Sequence, residues 1–276
     1  QSKHAKFVMK GRRSNMKIFL VNEENLINVQ QNCEPTVMAL GFFDGVHKGH
    51  QKVILEAKEK AKNAGLPLAV MSFFPHPKMV FSNEEVDYLM PMEQKAERLK
   101  RLGVDVFYII DFTKSFASLS PSKFVQEYLV KLQVKYAVAG YDYTYGFKGA
   151  GTIDTIAPHS DGQIQVYKVE KYSMYGEKVS STSIRCLLKE GKVEAISMLL
   201  GKPYEVKYSV SNGVFSYYTL PEAGTYLATI LIGNRAITQN VTVLNNRHIE
   251  FSQKFVEDQC KVIFHERVYQ HVQMIG

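Results

Sequence analysis

Cysteine is scarce in this chain, and what there is does not pair. Cys33, Cys186 and Cys260 lie far apart with no CxxC spacing, which argues against a disulfide framework or a zinc knuckle and fits a reducing cytoplasm. Long apolar runs are missing as well. No stretch of roughly 18 apolar residues occurs, so no membrane-spanning helix is expected. The opening QSKHAKFVMKGRRSN is basic but lacks the apolar segment of a secretory signal, and export is not expected either. Met16 is followed at once by the strand-like KIFLV, so residues 1–15 are expected to be a leader or remnant outside the fold. Internal repeats, low-complexity segments, P-loop, HExxH and dinucleotide GxGxxG patterns are all absent.

Charge of one sign is not gathered anywhere. The formal net charge is +7, but Lys and Arg are spread along helix faces and no RRM, KH or zinc-finger signature occurs, so a nucleic-acid partner is not expected. The surplus can help collect anionic ligands. Oligomeric state is not legible.

What is present begins with 276 residues and 45% hydrophobic content, enough for one large domain or two modest ones. PTVMALGFF (35–43) is a near-continuous apolar run, as in a strand buried on both faces. GHQKVILEAKEKAKNAG follows with Val53, Ile54, Ala57, Ala61 and Ala64 on one helical stripe, ended by Gly65. LPLAVMSFF (66–74) predicts a strand, PMEQKAERLKRLG (91–103) a helix with Pro91 in its first turn, and VDVFYIIDF (104–112) a third strand. PSKFVQEYLVKL (121–132) predicts a helix and VKYAVAGY (134–141) a fourth strand. Such βα repetition predicts a doubly wound parallel sheet of the α/β class, whose ligands bind beyond the carboxyl ends of the strands.

After Lys202-Pro203 the texture changes to short alternating runs, EVKYSV, TYLATILI, AITQNVTVL, HIEFS and KVIFHERV, with Gly233-Asn234 and Asn245-Asn246 as turn signals. The expected organisation is an α/β domain over 16–202 and a small antiparallel β-barrel-like domain over 203–276.

Two motifs carry chemistry. In Gly41-Phe42-Phe43-Asp44-Gly45-Val46-His47-Lys48-Gly49-His50, glycines let the backbone approach a ligand, and two histidines three apart at a helix start can point together at an anion. A zinc pair would need further ligands that no nearby Cys or His supplies; ordinary surface histidines are the plainer alternative, which the buried strand and the glycines outweigh. In Ser180-Ser181-Thr182-Ser183-Ile184-Arg185, helix capping explains one or two hydroxyls. A run of consecutive hydroxyls followed by an arginine one turn on suits an anion site better.

GFFDGVHKGHQ, FFPHP (73–77), GYDYTYGFKGAG (140–151) and SSTSIR (180–185), in this order and spacing, resemble the FMN adenylyltransferase module of prokaryotic FAD synthetases, usually the amino-terminal half of a bifunctional riboflavin kinase/FAD synthetase. The resemblance runs from about Met16 to Tyr204. It implies a Rossmann-like nucleotidyltransferase domain, and the reaction FMN plus ATP giving FAD plus pyrophosphate, with Mg²⁺ bridging phosphate oxygens. It further implies His47, His50 and Arg185 as catalytic residues. Gly41, Phe43, Asp44, Gly49, Asp142, Ser181 and Thr182 would bind ATP, with Asp142 on ribose hydroxyls; Asp44 is as readily structural. Phe74, Pro75, His76, Pro77 and Tyr143 would bind FMN. Pro-His-Pro is otherwise only a stiff loop, Tyr143 and Tyr145 could be core aromatics, and Lys148 reads as solvated. No protein metal ligand is expected.

The carboxyl-terminal module departs from the bifunctional pattern. LPEAGTY (220–226) is recognisable, but SVSNGVFSYYT stands where a kinase domain of that type carries Pro-Thr-Ala-Asn. The module is also shorter than a complete kinase domain, and Glu250 and Glu266 are no more than solvated strand residues. Riboflavin phosphorylation is therefore not expected. The alternative is a catalytically inactive flavin- or nucleotide-binding regulatory protein.

Overall fold

The computed structural model describes residues 16–81, 86, 88–174, 176–253 and 255–269; the expected leader, 1–15, lies outside them. The chain forms two compact units, one from the described parts of 1–42, 53–82 and 98–170, the other from those of 43–52, 83–97 and 171–276.

The first unit is a parallel sheet of β1 (Lys17–Val21), β2 (Thr36–Leu40), β3 (Leu68–Phe74), β4 (Val106–Asp111), β5 (Val134–Gly140) and β6 (Gln165–Val169), in the order β1-β4-β3-β2-β5-β6. All five of its pairings are parallel, as the strand-helix repetition predicts. Strand β2 is buried at every position, which is why its sequence does not alternate. Strand β6 went unpredicted. It lies at the sheet edge with four of five residues at least partly exposed, so QVYKV carries little apolar signal.

Helices α1 (Leu26–Gln31), α2 (Lys48–Ala64), α3 (Met92–Leu102) and α4 (Pro121–Val125) follow in the chain, α4 being continued by a π-helical turn, Gln126–Val130. The α2 stripe buries Val53, Ile54, Ala57 and Ala61. Ala64, expected on that stripe, is exposed. It is the last helical residue, and Gly65 after it turns the chain at φ +65°. Helix α4 begins on Ser120, whose hydroxyl accepts from the Lys123 N–H, with Pro121 at its first position. The apolar positions Phe124, Val125, Tyr128, Leu129 and Leu132 all enter the core beside β2, β4 and β5.

In the second unit, α5 (Ser181–Lys189) and α6 (Val193–Leu200) precede β7 (Tyr204–Ser209), β8 (Gly213–Val214), β9 (Gly224–Ile232), β10 (Arg235–Val243), β11 (Ile249–Phe251) and β12 (Gln259–Arg267). The strands form an antiparallel, nearly closed barrel-like sheet in the order β8-β7-β12-β9-β10-β11. Its hairpin at Gly233-Asn234 pairs Ile232 with Arg235, as the turn signal predicts. The phenol of Tyr208 on β7 reaches β11 at the far edge of the sheet: it donates to the Ile249 carbonyl at 3.2 Å and accepts the Ile249 N–H at 2.8 Å. Helix α6 ends on Gly201 in the left-handed region. Ile184, Leu188, Val193, Ile196 and Leu200 of the two helices share a core with Val206, Ala228, Ile230 and Phe264 of the barrel. Among the described residues no helix is long and apolar enough to cross a membrane.

Candidate active site

In the first unit the chain runs outward from β2 to neighbours on opposite sides, β3 and β5. The carboxyl ends at such a switch point form the crevice where α/β sheets bind ligands. Gly41 and Phe42 leave β2 here, Gly140 to Tyr143 leave β5, and Phe74 to Pro77 leave β3, so three of the four sequence motifs reach one edge. The Ser72 hydroxyl donates to the Phe42 carbonyl at 2.7 Å, and the Gly41 N–H to the Met71 carbonyl at 3.3 Å. Phe42 meets His76 edge to face, 4.7 Å between centroids. Phe74, Pro75, His76 and Pro77 are all half-buried, the Phe74–Pro75 peptide is cis, and Pro77 opens a single helical turn, Pro77–Phe81.

After β5, Asp142 is exposed, with its carboxylate folded back over Gly140, where a Cβ would lie 3.1 Å from Oδ1. The two tyrosines differ. Tyr145 is buried, its hydroxyl bonded to Thr155 Oγ1 at 2.8 Å and His159 Nδ1 at 2.9 Å, the arrangement of a core aromatic. Tyr143 is half-buried and stacks on Tyr145, but its hydroxyl is buried with no hydrogen-bond partner among the described residues. Lys148 is exposed, beside the Phe147 ring.

In the second unit, Phe43 to His47 form a tight turn that opens α2. Phe43 (φ 51°), Gly45 (φ 80°) and Val46 (φ 43°) all lie in the left-handed region, costly for the β-branched valine and the kind of local strain that clusters at functional sites. Only glycine suits position 45, because a Cβ there would also lie 2.9 Å from Leu89 Cδ1. Gln51 braces the turn, donating to the Val46 carbonyl at 2.9 Å and the Leu200 carbonyl at 3.1 Å.

The rings of His47 and His50 stack, with centroids 3.6 Å apart and planes 17° apart. The backbone N–H of His50 donates to His47 Nδ1 at 3.2 Å, which assigns the neutral His47 proton to Nε2. His50 packs edge to face on Phe43, and its Nδ1 is buried without a hydrogen-bond partner among the described residues. Burial, then the neighbouring His47, Lys95 and Lys178, hold the His50 imidazole well below the ordinary histidine range, so it is uncharged at neutral pH. Gly49 leaves room for this pair; a Cβ there would lie 3.1 Å from the His47 ring.

The SSTSIR segment joins the same cluster. Ser180 caps α5 and exchanges hydrogen bonds with Ser183, so capping accounts for these two hydroxyls. Ser181 instead donates to the Asp44 carbonyl at 2.9 Å, and Thr182 is exposed on the first turn. Arg185 donates to the Asp44 carboxylate at 2.5 Å. Asp44, 1% exposed, also accepts the Leu89 N–H at 3.1 and 3.2 Å. Burial pushes its pKa up, against the pull of Lys95, Arg185 and the Leu89 and Met90 N–H groups.

Lys95 is the member of this cluster that sequence reasoning passed over. It is 1% exposed, on the inward stripe of α3 four residues before the buried Leu99. That stripe spacing was the available signal, masked by the solvated lysines on the same helix. Among the described residues no group of three His, Cys, Asp or Glu side chains is placed to hold a metal ion. The carboxylate of the turn, Asp44, accepts from Arg185 and from the Leu89 N–H.

A family model described as FAD synthetase matches residues 29–183. The chain belongs to the FAD synthetase family. It is 41% identical over 256 residues to a bifunctional riboflavin kinase/FMN adenylyltransferase of Listeria monocytogenes, covering 84% of this chain and 80% of that protein. To the protein of the same description in Bacillus subtilis it is 44% identical over 198 residues, covering 71% of this chain and 62% of that one. To a Listeria monocytogenes FAD synthetase it is 31% identical over 229 residues, covering 80% and 88%. A solved Streptococcus pneumoniae structure described as a macrolide-efflux protein matches with a TM-score of 0.80 at 25% identity, covering 92% of this chain and all of that one. This member of the FAD synthetase family is a nucleotidyltransferase.

Proposed function

We propose that this FAD synthetase family member transfers AMP from ATP to FMN, giving FAD and pyrophosphate, and does not phosphorylate riboflavin. The observation that carries the reading is the joining of the stacked His47–His50 pair to the opening of α5 through Asp44, Ser181 and Arg185. In the proposed reaction a phosphate oxygen of FMN attacks the α-phosphorus of ATP, and the bond from that phosphorus to the bridging oxygen of the β-phosphate breaks. The attacking phosphate is already ionised at neutral pH, so the protein needs no general base. It must align the attack and stabilise charge on the departing pyrophosphate.

His47 Nε2–H and the His50 ring supply uncharged donors to the phosphates. The first turn of α5, with Ser181 and Thr182, adds backbone and hydroxyl donors, and Arg185 adds the cation. Magnesium enters as MgATP, held by phosphate oxygens. Gly41, Phe43, Asp44, Gly49 and Asp142 serve the nucleotide, Asp44 by fixing Arg185 and the turn and Asp142 by binding ribose. Phe74 to Pro77 and Tyr143 serve the flavin. The missing Pro-Thr-Ala-Asn motif supports the absence of kinase chemistry, as does the fate of the polar groups near its expected place. Ser209 and Ser211 donate to Asp258, and the Asn212 side chain donates to both serines, so these groups are engaged with one another and with Asp258.

Chromatography of products from FMN with MgATP, with riboflavin plus MgATP in parallel and His50→Ala as control, tests the proposal. FAD from FMN only, lost in the variant, is expected. FMN formed from riboflavin would overturn the kinase half, and undiminished FAD synthesis by His50→Ala would overturn the site assignment.

A further inference from the structure

LPEAGTY (220–226) is recognisable in the carboxyl-terminal module although Pro-Thr-Ala-Asn does not precede it. In this chain the segment meets the carboxyl end of α5. The Glu222 N–H donates to the Leu188 carbonyl at 2.8 Å, serving an acceptor in the last turn, where a helix leaves its carbonyls unpaired. Arg267, the last residue of β12, stands opposite Tyr226 of β9 and bridges the two segments. Its Nη1 donates to the Glu190 carbonyl at 3.0 Å and its Nη2 to the Ala223 carbonyl at 2.9 Å. Tyr226 is buried, with the guanidinium 5.8 Å from its ring centroid, and its hydroxyl donates to the Glu222 carbonyl at 2.6 Å. Two glycines leave room for this bridge: a Cβ at Gly191 would lie 2.5 Å from both Arg267 Nη1 and the Tyr226 hydroxyl, and one at Gly224 would lie 2.9 Å from Nη2. Leu220 and Tyr226 enter the same core as Ile184 and Leu188 of α5.

We propose that LPEAGTY and Arg267 form a seat for α5 that positions Ser181 and Arg185 for adenylyl transfer, so that a module without the kinase motif serves the synthetase reaction by holding this helix. The kinetic part rests on the adenylyltransferase reading above.

Nine residues make a helix too short to hold its own shape. The apolar contacts of Ile184 and Leu188 fix which face turns inward, but such contacts are non-directional and tolerate small slides along the axis. Hydrogen bonds at the carboxyl end are directional and do not. Arg185 lies three residues before Leu188, about 4.5 Å along the axis, so a displaced seat is carried directly to its ion pair with Asp44 and to Ser181, whose hydroxyl donates to the Asp44 carbonyl. A guanidinium also suits the negative end of the helix dipole, and its planar fork serves two carbonyls at once.

The test compares Arg267→Met and Tyr226→Phe with the unmodified chain and with Thr229→Val, which removes a hydrogen bond elsewhere on β9 and β12, between Thr229 Oγ1 and His265 Nε2 at 2.7 Å. Kinetics are measured at a temperature where circular dichroism finds each protein folded. The kcat for FAD formation is expected to fall about tenfold or more in Arg267→Met and about threefold in Tyr226→Phe, because small misplacements of aligned groups cost rate steeply. KM for FMN should change by less than about twofold. Calorimetric titration with magnesium pyrophosphate should find binding weakened about fivefold or more in Arg267→Met, as donors on the first turn of α5 move. Thr229→Val should lower the unfolding temperature and leave kcat unchanged. An unchanged kcat in folded Arg267→Met overturns the proposal, and so does an equal fall in Thr229→Val, which would trace the loss to barrel stability alone. If Arg267→Met does not fold, Tyr226→Phe decides, and kcat and pyrophosphate affinity equal to those of the unmodified chain overturn the proposal. If the unmodified protein makes no FAD, the adenylyltransferase reading fails while the pyrophosphate titrations still decide whether the seat sets α5.

Discussion

The carboxylate of Asp44 accepts a hydrogen bond from Arg185 at 2.5 Å, tying together two residues 141 positions apart in the chain. One belongs to the turn that carries the histidines and the other to the helix opened by SSTSIR. The ion pair is thus the physical link between two motifs that the sequence shows only as separate strings.

Removing the charge at position 44 should therefore cost both fold and activity. Asp44→Asn takes away the buried carboxylate that accepts from Arg185, and breaking a buried pair costs about 3–5 kcal/mol. Arg185 keeps 22% of its side chain exposed, so about 3 kcal/mol is expected, measured as the shift in urea unfolding. FAD formation should fall about a hundredfold or more. An unchanged unfolding midpoint would show that the pair contributes nothing.

Gly45 and Gly65 make a controlled comparison. Both have positive φ, but a Cβ at Gly45 would lie 2.9 Å from Leu89 whereas Gly65 faces open space. Gly65→Ala should cost about 1 kcal/mol from backbone conformation alone. Gly45→Ala should cost more and lower FAD formation, because the turn holding His47 must shift. Equal costs, read from thermal unfolding, would rule out the steric argument.

Lys95 should leave a mark on the pH dependence of stability. Its pKa falls from the usual 10.5 to about 8 on folding. Below about 8 both states hold the proton and the burial penalty is fully present; between about 8 and 10.5 only the unfolded chain holds it, so this residue makes stability rise with pH across that window. The slope from one such proton approaches about 1.4 kcal/mol per pH unit. Urea unfolding of Lys95→Met should lack this component. Parallel curves for the two proteins from pH 8 to 10 would contradict it.

The Tyr208 phenol serves both backbone groups of Ile249, and Tyr208→Phe leaves a buried N–H and C=O unpaired. A loss of about 1–3 kcal/mol is expected. Hydrogen exchange at the Ile249 amide should accelerate in the variant, and unaltered exchange would mean that water or a neighbour replaces the hydroxyl.

His76 offers a separation of the two substrates. His76→Ala removes the edge-to-face contact with Phe42, worth about 0.5–1.5 kcal/mol, and should raise KM for FMN by up to about tenfold with little change for ATP. Equal effects on both would argue against a flavin role.

The class of the fold and the strings that carry the chemistry are legible in the chain itself. Short continuous apolar runs such as TVMAL suit strands covered on both faces, helical stripes between them favour parallel order, and the Gly233-Asn234 turn fits a hairpin in the second module. These are local rules, readable from neighbours in the chain. Edge strand β6 escaped because exposure erases its pattern, and Ala64 fell outside its stripe because the helix ends there. It took long-range packing to bring Ser181 to the Asp44 carbonyl rather than to a cap of its helix, to make Tyr145 a core residue while the Tyr143 hydroxyl has no partner among the described residues, and to bury one lysine of α3, Lys95. Ion pairing and desolvation depend on which distant groups share a low-dielectric site, and helical spacing can mark a lysine as inward-facing without saying what charge it will meet.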